Sequence, residues 1–376
     1  MNLFLLALTA ATLGGAPPAE SPEPAAGPTP LLRAADRTFA GLKNGDVEVA
    51  GYRRDLALEA LLRLAKATDR PRYRTFVFEE VKRSGLTPQS TISYRAQPFG
   101  SLTFLLAEES GDRAWLDQFV KESNAYRRKV PRTPEGAITH PRGKKRGGGD
   151  AVLIDALQEY ASRMARAGQA TGDETYFAEA VRQFRVYRAI VRDPETGLWS
   201  QGRGWISDDP DRLSPGAWSR GHGWLIRGMV ETLRHLPPES AEAKELRGYL
   251  KELADALLPL QQPSGLWHTL LHRPPGDSPA EVSGTALISG YLGVALAEGF
   301  LQGKRYEQAA EKAYAALPAY VREDGVIESV SPGPGPLMEE EPWARPSFPP
   351  GDEHGPFALF TAATGQRRLA ESRTDD

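Results

Sequence analysis

The sequence predicts an all-α, single-domain fold in which helical hairpins repeat and close into a ring. Apolar residues recur at i, i+3, i+4 spacing along most of the chain, and strand-like alternation is rare. One turn motif also returns between helices, about 43 to 65 residues apart. A helical hairpin buries its apolar faces only against its neighbours, and long variable loops favour a closed ring over an open solenoid.

The helical periodicity predicts ten helices, and the best strand candidate is 325–330. The expected helices are 56–66, 76–83, 102–108, 115–127, 152–167, 176–191, 225–236, 243–261, 283–298 and 306–320.

The recurring turn motif joins a helix stop to a helix start. It occupies 67–73, 110–115 and 171–176, with a weaker copy at 302–306. Gly, or Thr in the first copy, ends one helix, and Asp or Lys then precedes an aromatic residue that opens the next. Long loops on one face of such a ring are where we expect the functional site.

The N-terminus is typical of an exported protein. An apolar run at 3–13 and small residues at 14–16 predict a signal peptide at 1–16, and a Pro/Ala-rich linker follows at 17–32. The barrel domain is expected at 33–370, before a short tail at 371–376. The sequence therefore indicates a periplasmic or secreted protein that does not contact the membrane after cleavage.

Composition narrows the function classes. The chain has 46 Lys and Arg against 49 Asp and Glu, so it lacks the basic excess of a nucleic-acid binder. It contains no cysteine, which excludes disulfides, thiolate metal sites and a cysteine nucleophile. The histidines are too scattered for a metal set, and we expect no cofactor. The sequence does not indicate an oligomeric state.

The most distinctive stretch is Trp218–Trp224 at a predicted helix start. It combines Trp218, Arg220, His222 and Trp224 with two glycines. Indole faces stack on sugar rings, a guanidinium pairs with carboxylate, and glycines let the backbone approach a ligand. The alternative is a buried turn with packed tryptophans.

Several motifs follow one another in the order of a known family. They lie at 131–140, 153–157, 171–176, 193–199, 218–224, 265–268, 281–285 and 355–359. With them the chain resembles the unsaturated uronyl hydrolases of glycoside hydrolase families 105 and 88, including unsaturated rhamnogalacturonyl hydrolase. The resemblance implies a barrel of six helical hairpins, an (α/α)6 barrel, with the site in its mouth.

The resemblance also implies a chemistry. The substrate is an oligosaccharide with an unsaturated uronic acid at its non-reducing end, left by a polysaccharide lyase. An aspartic acid protonates carbon 4 of the double bond, water adds at carbon 5, and the hemiketal then collapses. Asp155 aligns with this acid and needs a pKa raised by desolvation; Asp150 is the alternative, although an N-cap role suits it better.

Other residues match substrate-contacting positions. His140 would contact the uronyl group, Arg220 its carboxylate or a hydroxyl, and Trp218 and Trp224 would wall the subsites. The role of His222 is less defined, because the family often has Asn there. Further residues near helix starts that could line the same mouth are Tyr52, Trp267, His268 and His354.

Two positions depart from the family pattern. The segment 90–100 lacks the usual aspartate and carries Arg95, and Gln201 stands where histidine is common. The substrate therefore differs from the usual disaccharide, with Arg95 favouring a more anionic ligand, or the activity is reduced. A non-catalytic glycan-binding relative and a sugar epimerase that uses histidines remain the alternatives to a hydrolase.

Overall fold

The structure is a computed structural model that describes residues 28–88, 102–140, 150–205, 209–274, 277–333 and 348–374. The expected signal peptide at 1–16, most of the linker at 17–32, and Arg95 lie outside these residues. Among the helices that are described, none is both long and apolar enough to span a bilayer.

Within the described ranges the chain forms twelve α-helices and four two-residue strands, which we number in chain order. The helices are α1 Pro30–Asn44, α2 Gly51–Thr68, α3 Pro71–Arg83, α4 Leu102–Ser110, α5 Arg113–Lys129, α6 Ile154–Thr171, α7 Thr175–Val191, α8 Ser219–Leu233, α9 Ala241–Leu257, α10 Val282–Ala297, α11 Lys304–Ala316 and α12 Gly355–Ser372. The strands are β1 Val152–Leu153, β2 Gly202–Arg203, β3 Trp267–His268 and β4 Ala280–Glu281.

The even-numbered helices form an inner ring that the odd-numbered helices cover. All fifteen residues of α8 are buried, whereas the outer helix α9 buries six of its seventeen. Helix α12 packs against both α10 and α2, which closes the ring. The (α/α)6 barrel predicted from the sequence is therefore confirmed.

The barrel extends beyond the boundaries expected from the sequence. Helix α1 begins at Pro30, inside the expected linker, because the Thr29 hydroxyl caps it by accepting from the Leu32 amide at 3.2 Å. At the other end α12 continues to Ser372, two residues into the expected tail. Both α1 and α12 are additional to the ten predicted helices.

The turn motif forms the expected helix stops and starts. Gly172 ends α6 with a φ of 73°, and Asp69 ends α2 in the same left-handed region. The Asp112 carboxylate caps α5 by accepting from the Ala114 amide at 2.9 Å. The predicted strand at 325–330 is wrong: Ile327 makes only an isolated bridge with Val321, around a turn.

The inner helices carry charged side chains into the barrel core, where those charges are paired. Arg63 Nη2 lies 3.0 Å from Glu59 Oε1 and 2.9 Å from Glu231 Oε2. Arg227 contacts Glu59 at 2.9 Å, and Arg166 pairs with Glu231 at 2.5 Å. Burial alone would raise the pKa of Glu59, but Arg227 and Arg63 lower it to about 2. These ion pairs join α2, α6 and α8 across the barrel.

A cavity of about 350 Å³ lies at the end of the barrel where the inner helices finish. Arg63, Arg166, Glu231 and His235 are among its lining residues, and both arginines already pair with Glu231. The candidate site lies at the other end, where the inner helices begin.

The paired charges give a stability prediction. Glu231→Gln removes the carboxylate that buried Arg166 contacts and one of the two carboxylates that Arg63 contacts, so we expect a loss of about 3–5 kcal/mol in the free energy of unfolding. Urea denaturation measures it. Glu245→Gln is the control, because Glu245 pairs with Arg185, whose side chain is 55% exposed, and its loss should stay below about 1 kcal/mol. Equal losses in both variants would contradict the assigned role.

Candidate active site at the mouth of the barrel

The first turns of the inner helices meet at one mouth of the barrel. Tyr52 is in the first turn of α2, Asp155 in that of α6, Arg220 in that of α8 and Ser283 in that of α10. His354 immediately precedes α12. The closed ring thus brings side chains from distant parts of the sequence to one place.

The short strands β1 and β2 fix the start of α6. They pair antiparallel with Val152 opposite Arg203, and the Ile154 amide donates to the Gln201 carbonyl at 3.0 Å. A Cβ at position 202 would lie 2.4 Å from the Val152 carbonyl oxygen, so this approach requires glycine. The pairing holds the Gln201 side chain beside the first turn of α6.

Asp155 has a raised pKa because its carboxyl is desolvated. Burial raises its pKa to about 6, although Arg220, a backbone hydrogen bond and the Gln201 side chain each lower it. Its Oδ2 atom is buried and has no hydrogen-bond partner in the described part of the chain. A carboxyl with such a pKa keeps a proton closer to neutral pH than an ordinary aspartate does, as the sequence argument required.

Arg220 presents one open edge of its guanidinium. Nη1 donates to Ser283 Oγ at 3.0 Å and to Ser331 Oγ at 3.1 Å, and the group lies over the Trp218 ring, 4.4 Å from its centroid. Nε and Nη2 are buried with no hydrogen-bond partner among the residues described. Two adjacent unpaired N–H groups form a bidentate site for a flat anion such as a carboxylate.

The Glu281 carboxylate holds the elements that support Arg220. It accepts hydrogen bonds from the amides of Ser283 and Ser331, each at 3.0 Å, and from the Gly284 amide. It also accepts from the Ser219 hydroxyl at 3.3 Å. One fully buried carboxylate therefore joins the starts of α8 and α10 to the segment around Ser331.

His140 lies in the wall of the mouth against Trp205, with ring centroids 4.9 Å apart. Its amide donates to the Ala151 carbonyl at 2.8 Å, and the Trp205 indole donates to the Val152 carbonyl at 2.7 Å. Trp205 was not predicted from the sequence, although this residue follows Gln201 closely in a glycine-containing turn.

Tyr52 and His354, each of which the sequence places at the mouth, contact each other, and a third residue joins them. The Tyr52 hydroxyl is 2.9 Å from His354 Nε2, and His354 Nδ1 is 2.6 Å from Asp352 Oδ1. Asp352 was missed. Its position just before a Gly-Pro helix start is a recognisable capping signal, since acids favour that location.

Three residues that were expected to contact substrate instead pack in the core or bond to the backbone. Trp224 stacks on Phe357 with ring centroids 5.3 Å apart, and the Trp267 indole donates to the Leu257 carbonyl at 2.8 Å. His222 Nε2 accepts from the Trp199 amide at 3.0 Å, and Nδ1 lies 2.8 Å from the Trp218 carbonyl. Both ring nitrogens of His222 are thus committed to the backbone.

The remaining expected residues keep a place near the mouth. Trp218 lies under Arg220, so the cation covers the indole face that was expected to stack on sugar. His268 is half-buried in β3, and its Nδ1 has no partner within the described ranges. Gln201 contacts Asp155 and leaves its Oε1 without a partner among those same residues.

A helical barrel whose mouth holds a desolvated carboxyl, and a guanidinium with two N–H groups unpaired among the described residues, has the architecture of an (α/α)6-barrel enzyme. The chain belongs to Glycosyl Hydrolase Family 88, whose family profile matches residues 35–363, and it is therefore a glycoside hydrolase. The family prediction made from the ordered motifs is confirmed.

Individual proteins agree with this assignment. The unsaturated rhamnogalacturonyl hydrolase YesR of Bacillus subtilis is 29% identical over 281 residues, which cover 73% of this chain and 77% of that protein. A possible member of the GH105 family from Klebsiella pneumoniae superposes with a TM-score of 0.75 at 22% identity, covering 97% of this chain and 100% of that one. Unsaturated glucuronyl hydrolase from Bacillus sp. GL1 gives 0.64 at 18% identity, covering 89% and 95% respectively. Both structural likenesses concern the fold.

The raised pKa of Asp155 gives a prediction for stability. In the unfolded chain this carboxyl ionises above its ordinary pKa of 3.8, but in the folded chain it ionises only above about 6, so its charge opposes folding at neutral pH. Asp155→Asn should therefore stabilise the protein at pH 7 by about 1–3 kcal/mol, and the gain should disappear below about pH 4. Urea denaturation at the two pH values measures this.

The matched control is Asp150→Asn, a second carboxylate just before the same helix. We expect it to show no comparable gain at pH 7. If Asp155→Asn instead destabilised the protein equally at both pH values, the desolvation argument would be wrong.

Proposed function

We propose that this protein removes a 4,5-unsaturated uronic acid from the non-reducing end of lyase-generated oligosaccharides, with Asp155 as the general acid. The observation that carries the proposal is the desolvated Asp155 carboxyl, whose pKa the charge of Arg220 lowers, together with the two N–H groups of Arg220 that have no partner among the described residues. The Bacillus subtilis relative is named an unsaturated rhamnogalacturonyl hydrolase, so rhamnogalacturonan fragments are the first substrates to test.

The proposed reaction begins at the double bond of the sugar. The Asp155 carboxyl gives its proton to carbon 4, and positive charge develops at carbon 5 and the ring oxygen. Water adds to carbon 5 and returns one proton to the Asp155 carboxylate, which leaves a hemiketal. The hemiketal opens to a ketone, and the freed hemiacetal at carbon 1 expels the next sugar as an alcohol, so one water is consumed overall.

Arg220 suits the carboxylate that this substrate carries on carbon 5. Its Nε and Nη2 groups are buried and unpartnered among the described residues, so a substrate carboxylate would satisfy both. Nη1 is already held by Ser283 and Ser331, which fixes the direction of the open edge. The arginine thus orients the sugar, and Asp155 keeps its proton up to about pH 6 because desolvation raises its pKa.

The epimerase alternative needs histidines as acid and base, and the state of His222 does not favour it. His222 has both ring nitrogens hydrogen-bonded to backbone groups, and burial lowers its pKa to about 4. A binding-only relative remains a defined outcome of the activity test.

Activity is tested by the ultraviolet absorbance of the conjugated double bond in a panel of lyase-generated oligosaccharides. We expect the wild-type protein to remove the signal, and Asp155→Asn to lower kcat/KM by about 10²–10⁴-fold, because the proton donor is lost. Asp150→Asn should retain most of the activity.

Two outcomes would contradict the proposal. No loss of absorbance with folded wild-type protein across the panel would favour a glycan-binding role. Activity that is lost in Asp150→Asn and retained in Asp155→Asn would show that Asp150, and not Asp155, is the acid.

We also propose that the protein is exported, on the apolar run at 3–13 and the small residues at 14–16. Expression in a bacterial host followed by N-terminal sequencing tests this. We expect a chain in the periplasm or medium that begins at about residue 17. A chain that keeps Met1 and stays in the cytoplasm would refute export.

A further inference from the structure

We propose that Asp352 and His354 are positioning residues that turn the Tyr52 hydroxyl oxygen into an oriented acceptor for a hydroxyl of the bound sugar. The acceptor role rests on the proposed function, whereas the hydrogen-bonded chain stands on geometry alone. Tyr52 OH to His354 Nε2 is 2.9 Å, and His354 Nδ1 to Asp352 Oδ1 is 2.6 Å.

The positions of the protons in this chain follow from the ionisation states of Asp352 and His354. Burial would raise the pKa of Asp352, but its hydrogen bond with His354 and the charge of Arg220 hold the value below normal. Asp352 is therefore a carboxylate that only accepts, so the proton of the imidazole lies on Nδ1. Burial and Arg220 lower the pKa of His354 to about 4, so the ring is neutral near pH 7.

A neutral imidazole with its proton on Nδ1 has a lone pair on Nε2. The Tyr52 hydroxyl must then donate its proton toward His354, and its oxygen keeps two lone pairs. One of them accepts from the Arg53 guanidinium, and the other is left for a sugar hydroxyl. A phenol fixed in this way accepts a hydrogen bond from a sugar hydroxyl but does not offer one. The selection acts on groups that can donate, such as hydroxyls, and disfavours acceptor-only groups at this point of the substrate.

This chain of residues lies in the wall of the active-site mouth and is held rigidly. A Cβ on Gly333 would lie 3.3 Å from His354 Cε1 and 3.8 Å from Arg220 Nη2, so both groups border the same small space. Glu353 pairs with Arg53 at 2.9 Å, which fastens the start of α12 to the start of α2. Arg53 also lies over the Tyr52 ring, 5.1 Å from its centroid.

The proton positions can be tested without any substrate. Nitrogen NMR of the full-length protein labelled at histidine reports which ring nitrogen carries the proton, and His354→Gln assigns the signal. We expect a neutral His354 with the proton on Nδ1 at pH 7, and a shift of the Nε2 resonance in Tyr52→Phe. A proton on Nε2 would overturn the proposal, because His354 would then donate to Tyr52.

The action through Tyr52 is tested by a double-mutant cycle on kcat/KM with an unsaturated oligosaccharide. We expect Tyr52→Phe and Asp352→Asn each to cost about tenfold, mostly in KM, and the double variant to lose no more than Tyr52→Phe alone. Losses that multiply in the double variant would overturn the positioning role. A purely structural role of Asp352 would give such multiplication.

Glu353→Gln is the matched control, because it breaks the neighbouring ion pair with Arg53 and leaves the hydrogen-bonded chain intact. It should lower the melting temperature and leave kcat/KM close to the wild-type value. If the wild-type protein leaves every unsaturated oligosaccharide intact, the proposed function fails, and the NMR result still decides the hydrogen-bonded chain.

Discussion

The mouth of this barrel depends on the hydrogen bonds that the Glu281 carboxylate accepts. Those bonds come from α8, from α10, which packs against α8, and from the segment around Ser331. They hold Ser283 and Ser331 where both contact Arg220 Nη1. The buried Glu281 carboxylate thus accepts hydrogen bonds that hold the mouth together. The Nε and Nη2 groups of Arg220 have no partner among the described residues and can bind an anion.

The same geometry explains why a carboxyl beside an arginine retains a high pKa. Arg220 and the Gln201 side chain both stabilise ionised Asp155, yet desolvation outweighs them. An acid buried without a cation would bind an anionic sugar poorly, and an acid fully paired with a cation would lose its proton. Asp155 lies between these limits because desolvation raises its pKa by more than the charge of Arg220 lowers it.

The sequence was sufficient for the barrel and for the main residues of the mouth. The helical period and the Gly-Asp turns give the hairpins, and ordered motifs give Asp155, His140 and Arg220. Trp224 and His222 could not be separated from substrate contacts, because packing against Phe357 and bonding to backbone groups depend on the folded chain. Glu281 was missed because its partner Ser219 is 62 residues away in the sequence. Asp352 was missed because its contact with His354 forms only at the start of α12. Helix α1 was missed because its Pro start resembles the preceding linker.

We propose that Asp155 works as an acid because burial raises its pKa to about 6. The most direct measurement is the pH dependence of kcat/KM on the best unsaturated oligosaccharide, since that profile reports ionisations of the free enzyme. The acid is protonated below its pKa, so the account predicts a plateau at low pH and a tenfold fall per pH unit above about 6. A profile that stays flat or rises through pH 6 would contradict it.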